Sequence, residues 1–171
     1  MPVVEGPVGA WWKRASGIAG VNDLFNGEVA DTAEIGLKAQ FMDNRVNLGL
    51  SAYSTESKNS YFFVFLAANS TQNLGNLDAD YEGAEIEINA RVTDQFDVYA
   101  SYGITDSKIT DMEDPTVEGN EAPLVSENTA NLGFQFRQPI GDLEATFRAD
   151  YHHIGRTWWE PFNTTVRDPV Q

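Results

Sequence analysis

In the stretch YEGAEIEINARV, Glu85 and Glu87 stand two residues apart, a spacing at which two carboxylates could share a proton or grip a metal ion. Asn76, Asp78, Asp80 and Glu87 occupy the first, third, fifth and twelfth positions of a calcium-loop pattern. His152 and His153 are adjacent and could be read as metal ligands. Each idea depends on the element that must hold the residues. On a strand, residues two apart share a face, so the glutamate pair is geometrically possible. Glu34, Lys38, Arg91 and Arg148 fall on the same predicted face, however, and a solvated ladder of charges is favoured over catalysis. Tyr81 stands at the sixth calcium-loop position, where the sharp turn needs glycine, which argues against calcium. Adjacent histidines on a strand point to opposite faces and cannot chelate one ion together. The chain has no cysteine, no serine in a nucleophile-elbow setting and no glycine-rich phosphate loop with its lysine. The expectation is therefore a protein that is not an enzyme and needs no cofactor or metal.

The elements that position these residues are legible from a period of two. Ala33, Ile35, Leu37, Ala39 and Phe41 alternate with Glu34, Gly36, Lys38 and Gln40. After Asp43-Asn44 the pattern resumes with Val46, Leu48, Leu50 and Ala52. A second pair sets Ala84, Ile86, Ile88, Ala90 and Val92 against Phe96, Val98, Ala100, Tyr102 and Ile104 across Thr93-Asp94-Gln95. A third sets Ala130, Leu132, Phe134 and Phe136 against Leu143, Ala145, Phe147, Ala149 and Tyr151, with Pro139 and Gly141 in the connection. This predicts an all-β chain of about six antiparallel strands in three hairpins, at about 33–41, 45–67, 77–92, 96–107, 127–137 and 143–154. An irregular patch is expected around 54–60. Tight turns near 42–45, 93–95 and 138–142 alternate with long polar connections near 68–76, 108–126 and from 155 onward. The middle one is rich in acid, Pro, Gly and Asn and reads as a solvated loop.

Composition removes several functions. Eleven basic against 26 acidic residues give a net charge of -15, which repels phosphate backbones and excludes nucleic acid as the expected partner. No apolar run is long enough for a membrane-spanning helix. The first 17 residues lack the basic, apolar and small order of a signal peptide, so the chain reads as cytosolic or as a piece whose signal lies elsewhere.

Strands with one apolar and one polar face suit either a soluble sandwich or a transmembrane barrel. Four observations favour the barrel. The apolar segments have the length a tilted strand needs to cross the hydrocarbon layer. Short turns at one end oppose long loops at the other. Phe41, Tyr53, Phe96, Tyr102 and Tyr151 sit near strand ends, as interfacial girdles require. Charged residues lie well inside the polar faces, which a wet lumen accepts.

The segment ADTAEIGLKAQFMDNRVNLGLSAYSTESKN resembles a block of TonB-dependent outer-membrane receptors in which E-x-G-x-K leads through a turn to a strand with an aromatic and polar end. NLDADYEGAEIEINARVTDQFDVYASYGITDSKI resembles the next block, a Gly-x-Glu-x-Glu strand, a short turn and an aromatic-Ala-Ser-Tyr strand. RASGIAGVND is similar to the loop that precedes the first, with the usual Gly-Gly pair broken by Ile18 and Ala19. The likeness covers about residues 14–160.

The resemblance implies a barrel of about 22 strands closed around a plug. Six strands would then be an antiparallel transmembrane β-barrel fragment, drawn from the C-terminal part of the barrel. On this reading residues 1–32 are an outer loop and the end of a preceding strand, 33–154 are barrel strands, and 155–171 begin another outer loop. No plug-like segment, energy-coupling motif or aromatic-terminated last strand is found, and both ends look cut. Two open edges would make the isolated polypeptide prone to aggregate. The implied function is uptake of a scarce nutrient, a ferric siderophore foremost, across the outer membrane of a Gram-negative bacterium. The implied partners are outer-membrane lipid, the small-molecule ligand, and a TonB-type energy-coupling protein acting through a plug absent from this chain. Glu34, Lys38, Glu85, Glu87, Arg91 and Arg148 are expected to face the lumen as structural charges. Arg156, Trp158 and Trp159 are outer-loop candidates for ligand contact; for the Trp pairs 11–12 and 158–159 an anchoring role at the membrane belt is preferred. Acidity at Asp111, Glu113, Asp114, Glu118 and Glu121 weighs mildly against a strongly anionic ligand. The alternatives are a plug-less porin and a soluble carbohydrate-binding β-sandwich.

Overall fold

The computed structural model describes residues 27–66 and 71–171. Six strands form one antiparallel sheet in chain order: β1 (Val29–Phe41), β2 (Val46–Leu66), β3 (Thr71–Arg91), β4 (Phe96–Met112), β5 (Asn128–Ile140) and β6 (Leu143–Ile154). A short 3-10 turn, Pro115–Val117, follows β4, and β7 (Thr157–Trp158) pairs with β8 (Val166–Arg167) beyond β6. The tight connections have the expected chemistry. Met42, Asp43 and Asn44 all take positive φ, which the short polar side chains of Asp and Asn tolerate. Gly141 has φ +64° at the first central position of a two-residue hairpin turn, where an L side chain would be strained.

Register across the strands sorts side chains into two faces. One row on the first face runs Ala39, Leu48, Ile88, Ala100, Leu132, Tyr151, and the next runs Phe41, Val46, Ala90, Val98, Phe134, Ala149. This face stays uncovered among the described residues, with Ile35 and Leu143 each 76% exposed. A buried large aliphatic or aromatic side chain gains about 1.5–3 kcal/mol over an exposed one, so a surface of this kind needs an apolar partner. The sandwich alternative would supply a second stacked sheet. Here all six long strands lie in one sheet, and its other face carries charge, so the sandwich reading is corrected.

The register also carries a stagger. The row ending in Phe134 and Ala149 abuts the first turn, yet β5 runs on from 134 to 140 and β6 occupies 143 to 149 before the third turn closes. Six residues at about 3.4 Å descend ~20 Å, while four strand spacings of about 4.8 Å cover ~19 Å. Turns sharing one level therefore require strands tilted by roughly 45°, at the upper end of the range for closed barrels. Near the turns Phe96, Phe134 and Phe147 pack in a tilted chain with 5.8 Å between successive ring centroids.

The strands outrun the apolar alternation at the end opposite the turns. β3 begins at Thr71, where the sequence suggested a loop to about 76, and β4 runs to Met112 where a loop was expected from about 108. β2 and β3 are each 21 residues, about 70 Å long at 3.4 Å per residue, more than a tilted crossing of an apolar band about 25 Å tall requires. The irregular patch in β2 is a bulge: the register shifts between Ser57 and Ser60, and Asn59 has φ 56°. A second shift sets Ile109 opposite Ala79 but Asp111 opposite Asp78, leaving Thr110 over. Each bulge moves the following even-numbered side chains to the polar face. There Leu77, Ala79, Ile109, Val117 and Ala122 form the only buried apolar cluster among the described residues, flanked by Phe62, Tyr81, Met112 and Val125.

Candidate functional site

The polar face is built from ladder rows. One runs Lys38, Gly49, Glu87, Ser101, Asn131, His152, and its neighbour runs Gln40, Asn47, Asn89, Tyr99, Gly133, Asp150. Two tyrosines lie across glycines: a Cβ on Gly83 would collide with the Tyr53 ring, and one on Gly133 with the Tyr99 ring. Tyr53 bonds Thr105 at 2.8 Å between hydroxyls, and the Tyr99 hydroxyl donates to Asp150. Arg148 grips Asp150 through Nε and Nη2 at 2.9 and 3.0 Å and lies 5.1 Å from the Tyr99 ring centroid. Tyr53, expected in an interfacial girdle, is thus corrected to the polar face, as its odd position in β2 requires.

Glu85 and Glu87 border a shallow depression of ≈ 360 Å³ with Asn89, Tyr99, Ser101 and Asn131. Their expected partners are engaged elsewhere. Arg91 Nε lies 3.7 Å from Asp97, which also binds Arg137, and Arg148 is held by Asp150. Lys38 is separated from Glu87 by Gly49 on the intervening strand, about 10 Å at two strand spacings. Among the described residues Glu34, Lys38, Glu85 and Glu87 have no ion-pair partner; Asn89 Nδ2 donates to Glu87 at 2.8 Å. A paired charge ladder through Glu85 and Glu87 is therefore corrected to an uncompensated acidic pair within a network of amides and hydroxyls.

The other groupings resolve simply. Asp78, Asp80 and Glu87 all lie within β3, an extended strand that cannot wrap an ion, and Asp78 accepts from the Asn59 amide at 2.7 Å. His152 shares the polar face with Asn131, to which it is hydrogen-bonded, while His153 pairs with Ala130 and faces away. Among the described residues no cluster of three or more acidic or imidazole ligands is placed to hold a metal.

At the far end, segments 113–127 and 155–167 form a distal cap, where the sequence suggested a solvated loop over 108–126 and the start of an outer loop from 155. The first is started by Asp114, whose carboxylate accepts from the Thr116 hydroxyl and amide; these bonds, the hydroxyl's foremost, hold its pKa below the usual range. Ala122 N donates to Ser107 Oγ at 3.1 Å, and the Ile109 amide donates to the Asn120 carbonyl at 2.8 Å, tying the segment onto β4. The two segments then bind each other. Glu121 N donates to Asn163 Oδ1 at 2.9 Å while Asn163 Nδ2 donates to the Glu121 carbonyl at 3.0 Å. Asn120 Nδ2 reaches the Pro161 carbonyl at 2.9 Å, and Leu124 N donates to the Trp158 carbonyl at 2.8 Å. Glu160 closes its own turn by accepting from the amides of Phe162, Thr164 and Thr165. Burial pushes the Glu160 pKa up, but these bonds together outweigh it and leave the group below its ordinary value.

Arg156, Trp158 and Trp159 prove unequal. Arg156 is clamped between Glu121, at 2.7 Å, and Glu127, and lies 5.1 Å from the Trp158 ring centroid. The Glu127 hydrogen bond leads the effects that raise its pKa further. Trp158 is half-buried in β7, whereas Trp159 is 50% exposed. The sequence offered no signal for the clamp, since its members are 29 and 35 residues apart. Trp11 and Trp12, like the Arg14–Asp23 segment, lie outside the described residues.

A family model described as "TonB dependent receptor-like, beta-barrel" matches residues 10–170. A probable TonB-dependent siderophore receptor PiuA of Acinetobacter baumannii is 30% identical over 172 residues, which take in 91% of this chain and 23% of that protein. The chain thus spans about a quarter of this curated relative. The crystal structure of the siderophore receptor PiuA from Acinetobacter baumannii superposes with a TM-score of 0.66 at 26% identity, over 90% of this chain and 22% of that one. The ferric yersiniabactin uptake receptor FyuA from Yersinia pestis shares the fold at a TM-score of 0.69 and 17% identity, over 84% and 21% respectively.

Proposed function

Because this chain belongs to the TonB-dependent receptor β-barrel family, we propose that it forms an arc of the wall of an outer-membrane transporter for active uptake of a ferric siderophore. The carrying observation is the uncovered apolar face set against a charged face on strands whose stagger matches a barrel tilt of roughly 45° when the turns share one level. On this reading the apolar band meets outer-membrane lipid and the polar face lines the lumen, so that Glu34, Lys38, Glu85, Glu87, Arg91 and Arg148 border water. The distal cap stands at the outer mouth, where Trp159 is free to meet membrane or ligand while Arg156 is committed to its two glutamates. Family members are outer-membrane proteins of Gram-negative bacteria. The ferric siderophore is supported by the name of the 30% identical relative. Energy would come from a TonB-type partner acting through a plug encoded elsewhere in the full protein, and the wall itself would perform no covalent chemistry.

The test is growth and iron uptake in an iron-limited strain lacking the full-length gene, supplied with ferric catecholate, hydroxamate and mixed-ligand siderophores in turn. Uptake of one of them should fall on deletion, return with the intact gene and stop when the proton gradient is collapsed. Gene-dependent permeation that survives collapse of the gradient would instead favour the plug-less porin. Loss of growth on another scarce nutrient, with ferric siderophores unaffected, would keep the transporter and replace its ligand.

A further inference from the structure

The distal cap lies on the face that the proposed reading assigns to the lumen, and the inference here rests on that assignment. Leu77, Ala79 and Ile109 share that face by register, and Val117 and Ala122 of the 113–127 segment are buried against them, at 0% and 1% exposure. The segment therefore bends inward over the wall instead of standing out in solvent. Few local bonds hold it down: the amide of Ala122 on Ser107, the exchange between Ile109 and the Gly119 and Asn120 backbones, and, at its far end, the Thr105 amide donating to the Glu127 carbonyl. What fixes its far half is largely the neighbouring segment, through Asn163, through backbone bonds of Leu124 to Trp158 and Glu127 to Arg156, and through one guanidinium bridging Glu121 and Glu127, the one charged contact among them. Without Arg156 two half-exposed carboxylates would face each other across a narrow gap, so its removal replaces attraction with repulsion.

We propose that Arg156 is a positioning residue: it clasps the 113–127 and 155–167 segments together over the lumen face, so that this arc of the outer mouth is narrowed before any ligand arrives. The β4–β5 connection is then a standing part of the vestibule wall that sets what can pass beneath it. A guanidinium suits this role better than an ammonium, because one nitrogen, Nη2, holds both carboxylates while the planar group lies over the Trp158 ring, an interaction an ammonium reproduces only in part.

The experiment uses the full-length receptor in outer membranes, and the absence of cysteine from this chain makes a single introduced thiol a clean reporter. In a background free of other cysteines, Ala122→Cys is exposed to a membrane-impermeant maleimide on intact cells, with the exposed Glu118→Cys as the reference. Ala122→Cys should react at least ~10-fold more slowly than Glu118→Cys, as a closed local structure with a modest opening cost requires. Adding Arg156→Gln should remove most of that protection, Arg156→Lys should restore part of it, and Asn163→Ala should produce a smaller loss. Rapid labelling of Ala122→Cys in the parent, or unchanged labelling in both Arg156→Gln and Asn163→Ala, overturns the clasp. Heat-modifiable migration of the barrel, scored on the same samples, separates the two readings. Its presence with unchanged labelling rejects the clasp alone, and its absence from the parent rejects the barrel wall and the clasp with it.

Discussion

The lower sheet and the distal cap use the same alternation with opposite consequences. Near the turns, apolar side chains point to the uncovered face and polar ones to the other, and no residue there is part of a buried apolar cluster. Beneath the cap, on β3 and β4, the apolar side chains Leu77, Ala79 and Ile109 take the polar face, while Asp80, Glu82, Asp106 and Lys108 take the other. The exchange occurs between Glu82–Asp106 and Ala84–Ile104 without any break in the ladder. A continuous strand can thus change which face is apolar simply by trading parity. The difference teaches that the chain's own loop buries the apolar side chains of the upper half, whereas those of the lower half are left uncovered among the described residues.

The largest effect should come from placing a charge in the lower band. Leu132→Arg is expected to destabilise the full receptor by about 2–4 kcal/mol in lipid, as measured by denaturant titration. Asp106→Arg, on the same face above the band, should cost near zero; equal costs would mean that the boundary between the regions is misplaced. In the cap, Ile109→Ala should cost about 2–3 kcal/mol as a cavity among Ala79, Val117 and Ala122. That loss should appear as faster hydrogen exchange in 113–127 with barrel melting unchanged, and a matching drop in barrel melting would show the regions to be one cooperative unit. Gly133→Ala tests the lower region from inside: displacing the Tyr99 ring should cost about 1–2 kcal/mol, visible in thermal unfolding, and a neutral result would show that the ring swings away freely.

The smallest effect is electrostatic and confined to the cap. Glu160 has a folded pKa below its ordinary value of 4.5, so the folded turn binds its proton less readily than the open one. Its contribution is therefore fully present above that ordinary value and fades as pH falls through the lower, folded one. Hydrogen-exchange protection at Thr164 and Thr165, taken relative to the intrinsic rate at each pH, should fall on acidification, and Glu160→Gln should flatten that dependence. Persistence of the loss of protection in the glutamine variant would assign it to another carboxylate.

Much of the lower half was legible because its information is local. Side chains two apart share a face whatever lies around them, so the runs Ala33–Phe41, Ala84–Ala90 and Leu143–Tyr151 announced both the strands and their apolar side. Asp43-Asn44 and Gly141 marked turns for equally local reasons of backbone conformation. The same rule, applied at Tyr53, would have put that ring on the polar face; its aromatic character near a strand end suggested a girdle instead.

The cap was illegible for a physical reason. Its acid, Pro, Gly and Asn describe a solvated loop as well as they describe a loop folded on itself, and the deciding bonds join Glu121 to Asn163, 42 residues apart. Ion pairing was equally hidden, because which charges meet depends on register between strands and on the reach of each side chain. By itself, then, the sequence determined the lower parts of the strands, their apolar faces and the turns, since backbone geometry imposes a period of two on every unbulged strand. Tertiary structure alone decided the strand stagger, the pairing of Arg137 with Asp97 and of Arg156 with Glu121 and Glu127, and the inward fold of the cap. Those outcomes arise from relations between distant segments, which no local pattern encodes.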